Sequence, residues 1–216
     1  MALKFKTIPV THFSQNCTLL WCDETNQAAI VDPGGNLERI EAALQETGVE
    51  LKQILLTHGH LDHVGGTGDL AEQKGLLIYG PHLADAFWIE ALDDQAKRFY
   101  LDPVTGFTPT KWLDDGDSVQ IGNQTLEVFH TPGHTPGHIT FLNRENKLAM
   151  VGDVLFAGSI GRTDFPGSDH QALINSIRDK LFPQGDDIEF IPGHGPRSTF
   201  GAERESNPFV ADSKFG

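Results

Sequence analysis

An α/β fold, with two sheets packed together and helices outside, is predicted by three observations. Short apolar runs of strand length alternate with amphipathic helical stretches in both halves of the chain. Several of those runs stop at a glycine beside a histidine or aspartate, which is how α/β proteins build sites at strand ends. The 216 residues, 38% hydrophobic and 21% charged, are enough for a buried core and are ordinary for a soluble globular protein.

The elements follow in order. FKTIPV, CTLLWC and QAAIVD read as strands separated by polar turns. NLERIEAALQETG carries Leu37, Ile40 and Leu44 on one helical stripe, with Asn36 as expected N-cap and Gly48 as C-cap. QILLT is a short buried strand that delivers the chain to His58. A helix through Leu70 to Lys74 then leads to LLIYG. Residues 81–118 are less regular, FWIEAL reads as core, and FYLDPVTGFTPTKW reads as an extended surface loop. SVQIG, TLEVFH, HITFLN and KLAMVGD form a second run of strands. SDHQALINSIRDKLF places Leu173, Ile174, Ile177 and Leu181 on one face, with Ser168 and Gln171 spaced as a capping box. DDIEFIPGHG is a strand ending in a histidine, and STFGAERES is a final helix.

Charge narrows the partners. Sixteen basic against thirty acidic residues give a formal net charge of −14, which repels nucleic acid. No apolar run reaches the roughly 18 residues of a membrane span, and MALKFKTIPV lacks the apolar core of a secretory signal. Cys17 and Cys22 have an odd separation, so on one strand they face opposite ways and form no disulfide. A cytoplasmic location and a monomer are expected.

THGHLDH crowds His58, His60, Asp62 and His63 just after a strand. His58 and His60 share a face of an extended segment, leaving Asp62 and His63 to face a second point nearby. Neutral imidazole and carboxylate are the usual donors to zinc, iron and manganese. His134, Asp153 and His194 arrive at similar strand ends, each beside a glycine that lets the backbone turn. His130 and His138 read as packed histidines, and His12, His82 and His170 as incidental.

THGHLDH followed by His134, Asp153 and His194 resembles the metallo-β-lactamase superfamily, and the resemblance implies a four-layer αββα sandwich over 1–216 as one hydrolase domain. VDPGG, GDVLF, GRTDF, PGHG and ERESNPF make the chain most similar to the short glyoxalase II (hydroxyacylglutathione hydrolase) branch. By that resemblance one metal takes His58, His60 and His134, a second takes Asp62, His63 and His194, and Asp153 bridges both. Zinc is expected, with iron or manganese also compatible with an oxygen donor at Asp153.

Two divalent ions bring four positive charges, and Asp62 and Asp153 subtract two. The remainder favours hydroxide over water, as zinc lowers the pKa of bound water to roughly 7. A thiolate leaving group needs little protonation, so thioester hydrolysis suits the site. The expected reaction is cleavage of S-(2-hydroxyacyl)glutathione, such as S-lactoylglutathione in methylglyoxal detoxification. Longer glyoxalase II enzymes have a C-terminal helical region with basic glutathione-binding residues, for which this chain offers no counterpart. Arg162 is the candidate for an anionic part of the substrate, and Asp32 for an acceptor that orients a ligand histidine. The alternative is a mononuclear iron persulfide dioxygenase acting on glutathione persulfide. His58, His134 and Asp153 alone would supply its two-histidine, one-carboxylate triad.

Overall fold

The computed structural model describes residues 2–215. The first sheet has the order β1 (Leu3–Val10), β2 (Gln15–Cys22), β3 (Gln27–Val31), β4 (Glu50–Leu55), β5 (Leu77–Tyr79). Strands β1 to β3 pair antiparallel, and β3, β4 and β5 run parallel. The second, six-stranded sheet contains β6 (Ser118–Ile121), β7 (Gln124–His130), β8 (Ile139–Asn143), β9 (Leu148–Gly152), β12 (Glu189–Pro192) and β13 (Ser198–Thr199). It is an antiparallel meander up to β9, which then pairs parallel with β12. The two-residue strands β10 (Leu155–Phe156) and β11 (Ser159–Ile160) form a separate ribbon.

Strand alternation builds the layers. In β2, Leu19 joins the core beneath the helices of the first half, whereas Leu20 joins the core between the sheets. In β3, Ala28 and Ile30 face the helices, while Ala29 and Val31 face the other sheet. Phe141, Met150 and Ile191 cover that inner face from the second sheet, and Leu142, Ala149 and Phe190 turn outward to the second helical layer. Three apolar cores between four layers make the αββα sandwich. Cys17 and Cys22 lie on β2, buried and free.

Helix α1 (Leu37–Thr47) buries Ile40, Ala43 and Leu44, and Gly48 closes it in the left-handed conformation. Asn36 holds the N-cap position, but its side chain caps nothing. It accepts instead from Thr11 N at 2.7 Å and so ties α1 to the β1–β2 turn. After α2 (Leu61–Val64), α3 starts earlier than expected, at Thr67, and ends at Lys74. The stretch 81–118 is more regular than its sequence, with α4 (Ala86–Glu90) and α5 (Leu92–Arg98) ahead of the extended segment. α6 (His170–Asn175) continues as a π-helical turn, Ser176–Leu181, before the final helix α7 (Phe200–Ser206). The capping box does not form: Asp169 caps α6 through Ala172 N, and Ser168 Oγ donates to His134 O at 2.7 Å. Among the described residues no helix is long and apolar enough to cross a membrane.

Candidate metal centre

Five strand ends meet at one rim. Asp32 follows β3, His58 follows β4, His134 lies beyond β7, Asp153 follows β9 and His194 lies beyond β12. The sheets are joined here by Ile139 N donating to Thr57 O at 2.8 Å and Asn16 N donating to Gly193 O at 2.7 Å.

The first donor set is His58, His60 and His134. His60 Nδ1 stands 3.2 Å from His58 Nε2 and 3.0 Å from His134 Nε2. One ring nitrogen cannot satisfy two others by hydrogen bonding at once. Three nitrogens about 2.0–2.1 Å from a common tetrahedral cation would lie about 3.3 Å apart, close to what is seen. Two of the outer nitrogens are engaged: His134 Nδ1 donates to Arg162 O at 2.8 Å, and His58 Nδ1 lies 3.0 Å from Thr57 Oγ1, whereas His60 Nε2 is buried without a hydrogen-bond partner. Burial and the neighbouring charge of His134 push His60 down to about 3, and burial also lowers His58 and His134. Neutral imidazoles are what a cation requires.

The second set is Asp62, His63 and His194. Asp62 Oδ2 lies 3.2 Å from His194 Nε2 and 3.8 Å from His63 Nε2. Asp153 faces both sets: its Oδ1 is 3.4 Å from His63 Nε2, and its Oδ2 is 3.6 Å from His134 Nε2 and 3.7 Å from His194 Nε2. His63 Nε2 and Asp153 Oδ1 are buried without a hydrogen-bond partner. Such orphaned donor atoms in the interior fit a cation between them. Burial opposes charge on His63, but Asp153 and Asp62 outweigh it and hold the imidazole well above its usual value. Burial opposes charge on Asp153 as well, yet His63, His134 and His194 keep it well below the usual carboxylate range. Asp62 is lowered likewise, against its own burial, by His63 and His194.

Asp32, His58 and His63 form a third close group, within 4.8 Å of one another. Asp32 is already committed. Its Oδ2 accepts from His63 Nδ1 at 2.8 Å and Thr57 Oγ1 at 2.6 Å, and its Oδ1 accepts from Thr57 N at 2.8 Å. It therefore orients His63 rather than adding a donor. His138 is fully buried, with Nε2 accepting from Asp153 N at 3.1 Å. His130 Nε2 donates to Pro136 O at 2.8 Å, and its ring stacks on His82.

Glycine makes the convergence possible. A Cβ on Gly193 would sit 2.1 Å from Asp153 Oδ1 and 2.6 Å from His63 Cε1. Gly152 turns at φ 47° just before Asp153, where a side chain would strike His138 and Thr57.

Two residues escaped sequence reasoning. Asp85, fully buried, accepts from Gly59 N at 2.9 Å, Thr135 Oγ1 at 2.8 Å and Gly137 N at 2.5 Å. It ties the loop bearing His58 and His60 to the loop bearing His134. Gln95 accepts from Leu61 N at 2.9 Å and donates to Trp88 O at 2.8 Å, anchoring α5 beside the centre. Their partners are mostly backbone groups, which leave no pattern in the sequence.

The donors open into a cleft of about 520 Å³ with aromatic walls, among them Phe13, Trp88, Phe99 and Phe165. Trp88 belongs both to the core and to this wall, its ring 4.5 Å from that of His60. Arg162 also lines the cleft, but its guanidinium is held by Asp164 through bonds of 3.0 and 2.7 Å.

A sequence profile of the metallo-β-lactamase superfamily matches residues 10–198, a span that contains every histidine and aspartate of the cluster. Hydroxyacylglutathione hydrolase GloC of Haemophilus influenzae is 49% identical, over 96% of this chain and 98% of its own length. The solved structure of BLEG-1, a B3 metallo-β-lactamase, is similar with a TM-score of 0.88 and 35% identity, covering 96% of this chain and 99% of that one. TTHA1623, solved in a di-iron-bound form, gives 0.86 and 35% over 95% and 100%. Donor geometry, fold and profile agree: the chain belongs to the metallo-β-lactamase superfamily.

Proposed function

We propose that this chain is a dinuclear metal-dependent thioester hydrolase that cleaves S-(2-hydroxyacyl)glutathione, with S-lactoylglutathione as the type substrate. His58, His60 and His134 would hold one cation, and Asp62, His63 and His194 the other, with Asp153 between them. The observation that carries this reading is the position of Asp153, whose carboxylate faces both donor sets within 3.7 Å. A mononuclear iron site would leave His63 Nε2 and Asp62 without a use. The 49% identity to a protein named hydroxyacylglutathione hydrolase supports the substrate class. Zinc, iron and manganese all suit these donors, and a relative in a di-iron-bound form supports two ions rather than one.

Bound there, two divalent cations would supply Lewis acidity for the thioester carbonyl and make water a nucleophile near neutral pH. The chain's own residues do the rest. Asp32 fixes the ring of His63, and the carbonyl of Arg162 fixes the ring of His134. Trp88 and Phe165 pack against His60 and keep bulk water from that wall. The departing thiolate, with a free-thiol pKa of about 8.5, needs no proton from the protein. Residues 1–216 act in this proposal as one hydrolase domain, a cytoplasmic monomer acting on a small molecule.

Metal content measured beside S-lactoylglutathione hydrolysis tests the proposal. The expected result is two divalent ions per chain, thiol release, loss of both on chelation and recovery on reloading. One iron per chain, with oxygen uptake on glutathione persulfide and no thioester cleavage, would replace it with the dioxygenase.

A further inference from the structure

The geometry points to Arg98 as the residue that receives a carboxylate of the substrate and makes the cleft select anionic over neutral thioesters. This rests on the thioester reading above and adds a recognition residue to it.

Arg98 and Arg162 are the permanent cations lining the cleft. They are not equivalent. Arg162 is paired fork to fork with Asp164, its guanidinium lies over the Phe165 ring at 4.7 Å, and its carbonyl is occupied by His134. Its charge is answered within the protein. Arg98 forms no ion pair among the described residues.

Arg98 is also well placed. It ends α5, one turn beyond Gln95, so both fall on the same helical face, and both line the cleft. Gln95 is bonded to the backbone of Leu61 and Trp88, which fixes α5 against the metal loop. The next residue, Phe99, packs edge-on against Phe13 at 5.3 Å and holds the end of the helix to the β1–β2 turn. The backbone that carries the guanidinium is therefore set before ligand arrives.

The chemistry selects the ligand. With a formal net charge of −14, the chain repels anions except where a local cation draws them in. A glutathione thioester carries two carboxylates well removed from its sulfur. A guanidinium without an internal partner suits a carboxylate in bidentate geometry. A cleft of about 520 Å³ is of a size that holds such a molecule.

The test uses metal-loaded protein and two readouts. Binding of S-methylglutathione is followed by calorimetry, and turnover is followed on S-lactoylglutathione and on the neutral S-lactoyl-N-acetylcysteamine. Arg98→Gln is expected to weaken S-methylglutathione binding and raise KM for S-lactoylglutathione about tenfold or more, with kcat within about twofold, as for a lost charge-assisted hydrogen bond. The neutral thioester should be unaffected, Arg98→Lys should recover part of the loss, and Arg162→Ala should cost less than Arg98→Gln. Unchanged affinity in Arg98→Gln, equal losses on both thioesters, or no binding of S-methylglutathione to the wild type would overturn the assignment. Binding that depends on Arg98 without any turnover would uphold Arg98 and overturn the hydrolase instead.

Discussion

Asp32 Oδ2 stands 2.8 Å from His63 Nδ1, so a carboxylate at the end of one strand sets the ring that faces Asp62 and Asp153. Asp32 adopts φ 51°, a left-handed conformation that asparagine also tolerates. Asp32→Asn is thus a mild probe of charge and acceptor. It should weaken the second cation about 10- to 100-fold while leaving the first nearly unchanged. Competitive chelator titration of the two ions checks this, and equal weakening of both would argue for a general structural role.

Asp153 lies between the sets, so its removal should disturb both. Asp153→Ala should lower metal content and abolish thioesterase activity, as elemental analysis and a thiol-release assay would show. Full retention of two ions and normal turnover would remove Asp153 from the centre.

Gly193→Ala places a methyl 2.1 Å from Asp153 Oδ1, and Asp153 cannot retreat without leaving His63. Displacement of a donor by even about 1 Å is worth roughly 100-fold in rate. The variant should keep its circular dichroism spectrum and lose kcat/KM on that order. Wild-type activity would mean that the crowding is relieved by backbone movement.

Asp85, which braces the loops that carry His58, His60 and His134, gives a pH signature of its own. Burial pushes its carboxyl up to about 6, against three hydrogen bonds that favour the ion. The folded state then binds this proton more tightly than the unfolded chain, whose carboxyl titrates near 3.8. Its stabilising contribution is present below the unfolded pKa and is lost as pH rises through about 6, a change of about 3 kcal/mol. Urea unfolding of wild type and Asp85→Asn from pH 4 to 7 should show a difference that shrinks with rising pH. A difference independent of pH would show that Asp85 is ionised throughout.

The convergence of these side chains was legible because they share a composition signal, histidine and aspartate beside glycine where an apolar run stops; their role as metal donors is the proposal above. The layers were legible too, since Leu19 and Leu20 or Phe141 and Leu142 must face opposite ways in a strand. What stayed hidden depends on tertiary partners. Helices α4 and α5 are short: Trp88, Ile89, Leu92, Gln95 and Ala96 do fall on one helical face, but the stripe includes a glutamine whose burial depends on tertiary hydrogen bonds to Leu61 and Trp88. Ser168 and Asp169 are both good cap residues. The site decided between them, because Ser168 is drawn to the carbonyl of His134 and Asp169 is left to cap α6. Arg162 reads from sequence as the candidate for an anionic part of the substrate because nothing there marks Asp164, two residues along, as its partner.

Anomalous diffraction from crystals of the metal-loaded protein tests the central claim most directly. Two peaks are predicted, one among His58, His60 and His134 and one among Asp62, His63 and His194, with Asp153 between them. A single peak, or metal bound away from Asp153, would contradict the dinuclear centre.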